Sequence, residues 1–266
     1  MVTKALILGA GYGTRLQRDL ASDPTHHHLL GVPKALLPLG GRDCLITHWL
    51  DDLTANGFSK ENDIYVVTNQ ASVGAFQDWA QRHQVPLDHI LNDGTTSNET
   101  RLGAVPDIQF GLDAILPSST SVLVIGGDTL FLKEFDLAQF LAQKQPGQCL
   151  VTTYTVDDAV VPKVGIVETD ATGVIQSFLE KPSPDQTPSR LACPCFYLLD
   201  PTARPLIRAF LDASRGLGLE HYDATGKALA YLYPRIPLAT FPISGRIDVG
   251  GLQSYIDANA YFASTD

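Results

Sequence analysis

Four short apolar runs, at residues 4–9 (KALILG), 63–68 (DIYVVT), 88–91 (DHIL) and 121–126 (SVLVIG), alternate with segments of helical period. No other feature constrains the fold as strongly. Runs of this length suit strands buried on both faces, with helices covering each side of the sheet. The segments between them read as helices over 43–57, 71–82 and 102–115. In the first, Asp43 is a candidate N-cap, Leu45, Ile46, Trp49, Leu50 and Leu53 share one face, and Gly57 stands where a C-terminal cap belongs. A βαβ series of this kind predicts a parallel sheet with right-handed crossovers.

After about residue 148 the pattern changes. CLVTTYTV, VGIVETD, GVIQSFLE and ACPCFYLL read as strands, and Asp170-Ala-Thr-Gly173 is a turn signal between two of them, so antiparallel pairing is expected there. Helices return at 200–213, 223–232 and 251–263. The predicted fold class is therefore α/β: one Rossmann-like open mixed sheet, mainly parallel and flanked by helices, with a smaller antiparallel part in the C-terminal half. The 266 residues are expected to form a single domain, 1–266, with halves at 1–147 and 148–266. The proline-dense stretch 182–190 (PSPDQTPSR) reads as a surface excursion or lid.

Composition removes several function classes. A net charge of −10 with no Lys/Arg-rich run argues against a nucleic-acid partner, which needs a basic face. No apolar stretch is long enough for a membrane span. Because MVTK leads directly into a core-like strand, no signal peptide is expected and the predicted location is cytoplasmic. An acidic protein that handles phosphates must rely on backbone NH groups, a few placed cations and a divalent metal. Cys44, Cys149, Cys193 and Cys195 show no metal spacing and read as buried thiols. His26-His27-His28 reads as a loop, because consecutive side chains do not converge on one metal.

The glycine-rich turn GAGYGTRL admits three readings. A dinucleotide fingerprint needs a third glycine where Thr14 stands, and a phosphate-binding P-loop needs Lys-Ser or Lys-Thr where Thr14-Arg15 stands. A glycine turn used only for packing is the third. Pro33-Lys34 follows at the head of another apolar segment, a denser arrangement than packing requires.

Leu8-Gly9-Ala10-Gly11-Tyr12-Gly13-Thr14-Arg15-Leu16 with Pro33-Lys34 resembles the sugar-phosphate nucleotidyltransferases, the nucleoside-diphosphate-sugar pyrophosphorylases that include thymidylyl- and uridylyltransferases. Gly126-Gly127-Asp128, Glu180-Lys181-Pro182 and Arg246-Ile-Asp248-Val-Gly250 match three later motifs of that family, the last being its W-x-D-x-G segment. The resemblance implies transfer of a nucleoside monophosphate from an NTP to a sugar 1-phosphate, with release of pyrophosphate. It makes 1–147 the nucleotide half and 148–266 the sugar-phosphate half. Arg15, Lys34 and Lys181 would be catalytic. Leu8, Gly9, Ala10, Gly11, Gly13, Thr14, Asn92, Gly94, Gly103 and Gly127 would bind the nucleotide. Gly165, Glu180, Lys181 and Tyr197 would hold the sugar phosphate, while Asp128 and Asp248 would hold Mg²⁺. Asp248 has a second reading, as the N-cap of a helix starting near Gly251.

The chain departs from the family in two places. The interval 16–33 between Arg15 and Lys34 is about twice the usual one, and the segment 91–104, where pyrimidine readers carry a Gln and glycines, aligns ambiguously. UTP and dTTP are the expected donors, with CTP close behind. Glu220, Asp223 and Lys227 join Tyr197 as candidates for the sugar pocket. Two alternatives stay open: a CTP-dependent cytidylyltransferase acting on a phosphorylated non-sugar acceptor, and a non-catalytic sugar-nucleotide-binding or regulatory domain. Homo-oligomerisation is also open.

Overall fold

The computed structural model describes residues 3–264; the chain's first two and last two residues, including the Met-Val that opens MVTK, lie outside the described residues. In chain order the elements are β1 (Thr3–Leu8), α1 (Thr14–Ala21), α2 (Leu45–Ala55), β2 (Ile64–Thr68), α3 (Val73–His83), β3 (Ile90–Asn92), α4 (Ala104–Ala114), β4 (Ser121–Gly126), β5 (Thr129–Phe131) and α5 (Leu137–Ala142). They continue as β6 (Cys149–Thr155), β7 (Gly165–Thr169), β8 (Ile175–Glu180), β9 (Leu191–Ala192), β10 (Phe196–Leu199), α6 (Ala203–Ala213), α7 (Thr225–Leu232), β11 (Leu238–Pro242), β12 (Arg246–Asp248) and α8 (Leu252–Ala263).

Among the described residues the main sheet has ten strands, in the order β3-β2-β1-β4-β10-β6-β9-β7-β8 with β11 on β6. This is the mixed α/β sheet flanked by helices that the apolar pattern predicts. β2 and β3 pair parallel, as do β6 and β11, whereas β10 runs antiparallel to both β4 and β6. β7 and β8 form the expected antiparallel pair, joined by a turn in which Gly173 has φ +81°. Every residue of β2 and β4 is buried, as strands covered on both faces should be.

The described residues form two compact units. The larger comprises 3–6, 102–125 and 131–246, and the smaller 7–101, 126–130 and 247–264. The smaller is cored by α2 and α3: Leu45, Ile46, Trp49, Leu50 and Leu53 are buried as one face, together with Phe76 and Trp79. Asp43 does not cap α2. The N-cap is Cys44, without a side-chain cap bond, because the Asp43 carboxylate accepts from Thr47 Oγ1 (2.7 Å) and pairs with His83 Nε2 (2.8 Å). Gly57, with φ +86°, does follow the helix end. The larger unit holds an aromatic cluster in which Phe196 lies 4.9 Å from Phe131 and 5.1 Å from Phe140, centroid to centroid. Among the described residues no helix is long and apolar enough to cross a membrane.

Candidate active site

The glycine turn belongs to the smaller unit, at the end of β1. Leu8 O accepts from Gly127 N (2.9 Å), Gly9 N donates to Val67 O (2.7 Å), and Ala10 O accepts from the buried Asn69 Nδ2 (2.8 Å). A side chain at Gly127 would strike the Leu8 carbonyl, and one at Gly9 would come within 2.7 Å of the Phe76 ring. Both glycines are therefore set by close packing. Gly13 differs: with φ +58° it is the N-cap of α1, and no side chain caps that helix. Gly11 and Thr14 are exposed. Uncapped amides at a helix start suit an anion.

The two cations meet this turn from different directions. Lys34 opens a single 3-10 turn after Pro33, its stem lies along Gly13, and its Nζ stands 3.6 Å from Asp128 Oδ2. Its side chain is 18% exposed and that of Asp128 41%, so the pair opens to one side through the carboxylate. Arg15, in the first turn of α1, donates from Nε to Gly250 O (2.8 Å). That bond leaves the Nη groups to meet an anion. β12 pairs with β5, and Val249 N donates to Asp128 O (3.0 Å), which brings Asp248 within one residue of Asp128 across the ladder. Asp248 is thus a strand residue, and the N-cap of α8 is Gly251. Trp49 Nε1 fixes the next residue by donating to Thr129 O (2.8 Å).

Asn92 and Gly94 close on each other at the end of β3. Asn92 Oδ1 accepts from Gly94 N (3.0 Å), and its Nδ2 donates to Gln70 Oε1 (2.7 Å). Gln70, two residues past β2, is a polar group the sequence reading missed; its place just beyond a buried parallel strand was the available signal. Thr95 joins Tyr12 of the glycine turn (2.9 Å) to Asp93. Gly103 is a member of the larger unit, has φ +104°, and packs against Leu219, Tyr222 and Asp223.

The larger unit contains a cavity of about 270 Å³ whose lining includes Lys163, Gly165, Glu180, Lys181, Tyr197 and Asp223. The EKP segment, VPKVG and the start of α7 therefore converge. Glu180 is half-buried, seated between Gly165 and Gly226, where a side chain at Gly226 would collide with its carboxylate. Burial raises its pKa, and Lys181 and Lys227 offset part of that rise. Lys181 is exposed and holds φ +51°, with its N–H on Val164 O (3.1 Å). Positive φ in a non-glycine residue is uncommon and concentrates at functional sites. Tyr197 is buried, its hydroxyl bonded to Thr225 Oγ1 (2.9 Å). Glu220 and Lys227 engage each other locally, Lys227 Nζ donating to the Glu220 carbonyl, and neither lines the cavity.

The cysteines form no disulfide; Cys44, Cys149 and Cys193 are buried and Cys195 is half-buried. His26 is tied to Asp23 (3.1 Å), and among the described residues no group of three or more His, Cys, Asp or Glu is placed to hold a metal.

The nucleotidyl transferase family model matches residues 4–265. The chain belongs to that family. No curated protein matches this nucleotidyl transferase family member significantly. Among solved structures, it is similar over its full length to a UDP-glucose pyrophosphorylase complexed with UDP-glucose (23% identity, TM-score 0.74, 100% of each chain covered). An apo UDP-glucose pyrophosphorylase gives 22% identity and a TM-score of 0.72, with 99% of each chain covered. A Bacillus anthracis protein assigned as a glucose-1-phosphate thymidylyltransferase, in complex with a sucrose, gives 21% and 0.71, with 100% of this chain and 97% of that one covered. At these identities the likeness shows the fold.

Proposed function

We propose that this protein is a sugar-1-phosphate nucleotidyltransferase that uses UTP or dTTP. A phosphate oxygen of the acceptor attacks the α-phosphorus of the NTP; the new P–O bond forms as the bond to the β-phosphate bridging oxygen breaks, and pyrophosphate leaves with the electron pair. The nucleophile is already anionic, so no general base is required, and positioning and charge stabilisation carry the rate.

The observation that carries this reading is the gathering, in the smaller unit, of Arg15, Lys34, Asp128 and Asp248 around the uncapped start of α1. In the proposal, the amides from Gly11 to Thr14 hold the triphosphate. The Arg15 guanidinium stabilises the departing pyrophosphate, and Lys34 neutralises the α-phosphate. Lys181 orients the acceptor phosphate, and Glu180 accepts from sugar hydroxyls. Asn92 and Gln70, an amide pair with donor and acceptor capacity remaining, read the pyrimidine edge.

Members of the family generally need a divalent metal. Two carboxylates, Asp128 in the turn before β5 and Asp248 at the end of β12, with no group of three or more His, Cys, Asp or Glu placed to hold a metal among the described residues, suit a hard cation that completes its shell with phosphate oxygens and water, as Mg²⁺ does. Asp128 and Asp248 would hold it, and when bound it would neutralise triphosphate charge.

A matrix of UTP, dTTP, CTP, ATP and GTP against sugar 1-phosphates, with Mg²⁺ and pyrophosphate release as readout, tests the reading. The expected result is release with a uridine or thymidine donor, lost by a factor of roughly 10² or more in R15A and D128A. Pyrophosphate release that never depends on a sugar phosphate, or R15A and D128A at wild-type rates, would refute it.

A further inference from the structure

Arg246 carries an inference that none of the motifs assigns. The segment matching W-x-D-x-G begins here with an arginine, and this residue, in the larger unit, lines the 270 Å³ cavity with Lys163 and Lys181. It is half-buried, and its Nε donates to Tyr154 Oη at 2.9 Å. Tyr154 stands near the end of β6 and packs on the small apolar cluster of Val156, Val161, Ile166 and Ala192. The bond from Nε to a packed tyrosine helps to orient the guanidinium plane before any ligand arrives.

Charge on the cavity wall argues in the same direction. Glu180 and Asp223 also line it, so Lys163 and Lys181 alone would leave the wall formally neutral, and Arg246 makes it positive. A phosphate monoester brings up to two negative charges and pairs of acceptor oxygens, to which a guanidinium fork is matched and an indole is not. The volume, just below the ~300–1,000 Å³ common for small-molecule sites, fits one small ligand.

We propose that Arg246, positioned by Tyr154, is a phosphate-binding residue of the acceptor cavity and acts with Lys181 and Lys163 on the monoester of the incoming sugar phosphate. This rests on the reading of that cavity as the acceptor site.

Calorimetric titration of the full chain with glucose 1-phosphate, inorganic phosphate and UTP, each alone, tests it without turnover. R246M is expected to weaken glucose 1-phosphate by roughly 10- to 100-fold, the range for loss of a charge-assisted bond. R246K should recover part of that loss, because it restores charge without the fork. Y154F should raise the acceptor KM a few-fold while kcat holds, and UTP should bind all variants equally. Undiminished glucose 1-phosphate binding in R246M, equal loss of UTP, or wild-type protein that binds neither glucose 1-phosphate nor phosphate would each overturn the proposal. Failure of the transferase reading looks different: pyrophosphate is never released, while glucose 1-phosphate still binds in an Arg246-dependent way.

Discussion

Two side chains in the candidate site are seated closely against glycines, and both can be tested singly. A Cβ on Gly250 would collide with Arg15 Nη2, the mobile end of a long side chain. G250A should therefore displace Arg15 without unfolding the protein: kcat is expected to fall about 10-fold or more while Tm stays within a few degrees. Unchanged turnover in G250A would mean that this guanidinium position is not the working one. Glu180 has a pKa raised first by burial, with Lys181 and Lys227 opposing. Its ionised form is thus disfavoured in the fold. The cost is absent below the unfolded carboxylate range, where the group is protonated in both states, and grows as pH rises through the raised folded value. E180Q should raise Tm at pH 8, leave it unchanged near pH 4, and weaken acceptor binding at neutral pH. A gain of equal size at both pH values would place the effect elsewhere.

At the scale of elements, the junction of β1 with the residues after β4 is a tight backbone constraint beside the glycine turn. A methyl at Gly127 would meet the backbone carbonyl of Leu8, which cannot swing aside as a side chain can. G127A is expected to cost about 1–3 kcal/mol in urea unfolding, with activity reduced beyond what that loss explains. Buried strands and long amphipathic helices were legible in the sequence because their signals are local: β1, β2, β4, α2, α3 and α4 fall within a few residues of the periodicity. α1 was missed, since only Leu16 and Leu20 of its eight residues are buried, and α5 was missed because it has six residues. The site was legible as motifs but not as geometry. Nothing local in the sequence shows that Asp248 lies on a strand beside β5, that Asn92 is engaged by Gln70, or that Arg246 faces the cavity of Glu180 and Lys181. Each of these depends on pairings between residues far apart in the chain.

For the whole molecule, β10 supplies the decisive tie. It lies between β4 and β6, with Phe196 opposite Ile125 and Tyr197 opposite Val151, so a cut at residue 147 strands β4 without its neighbour. Fragments 1–147 and 148–266, produced separately, should show no cooperative thermal transition by circular dichroism; a sharp transition in either would identify a unit able to fold alone. The four thiols offer a last consequence. Cys44, Cys149 and Cys193 are buried, and burial pushes the first two up to about 12 and the third well above its ordinary range, whereas Cys195 is half-buried on the cavity wall and is expected to meet an alkylating reagent first. If the proposed acceptor reading holds, this thiol is an occupancy gauge: maleimide uptake at one position should slow when glucose 1-phosphate is added and be indifferent to UTP.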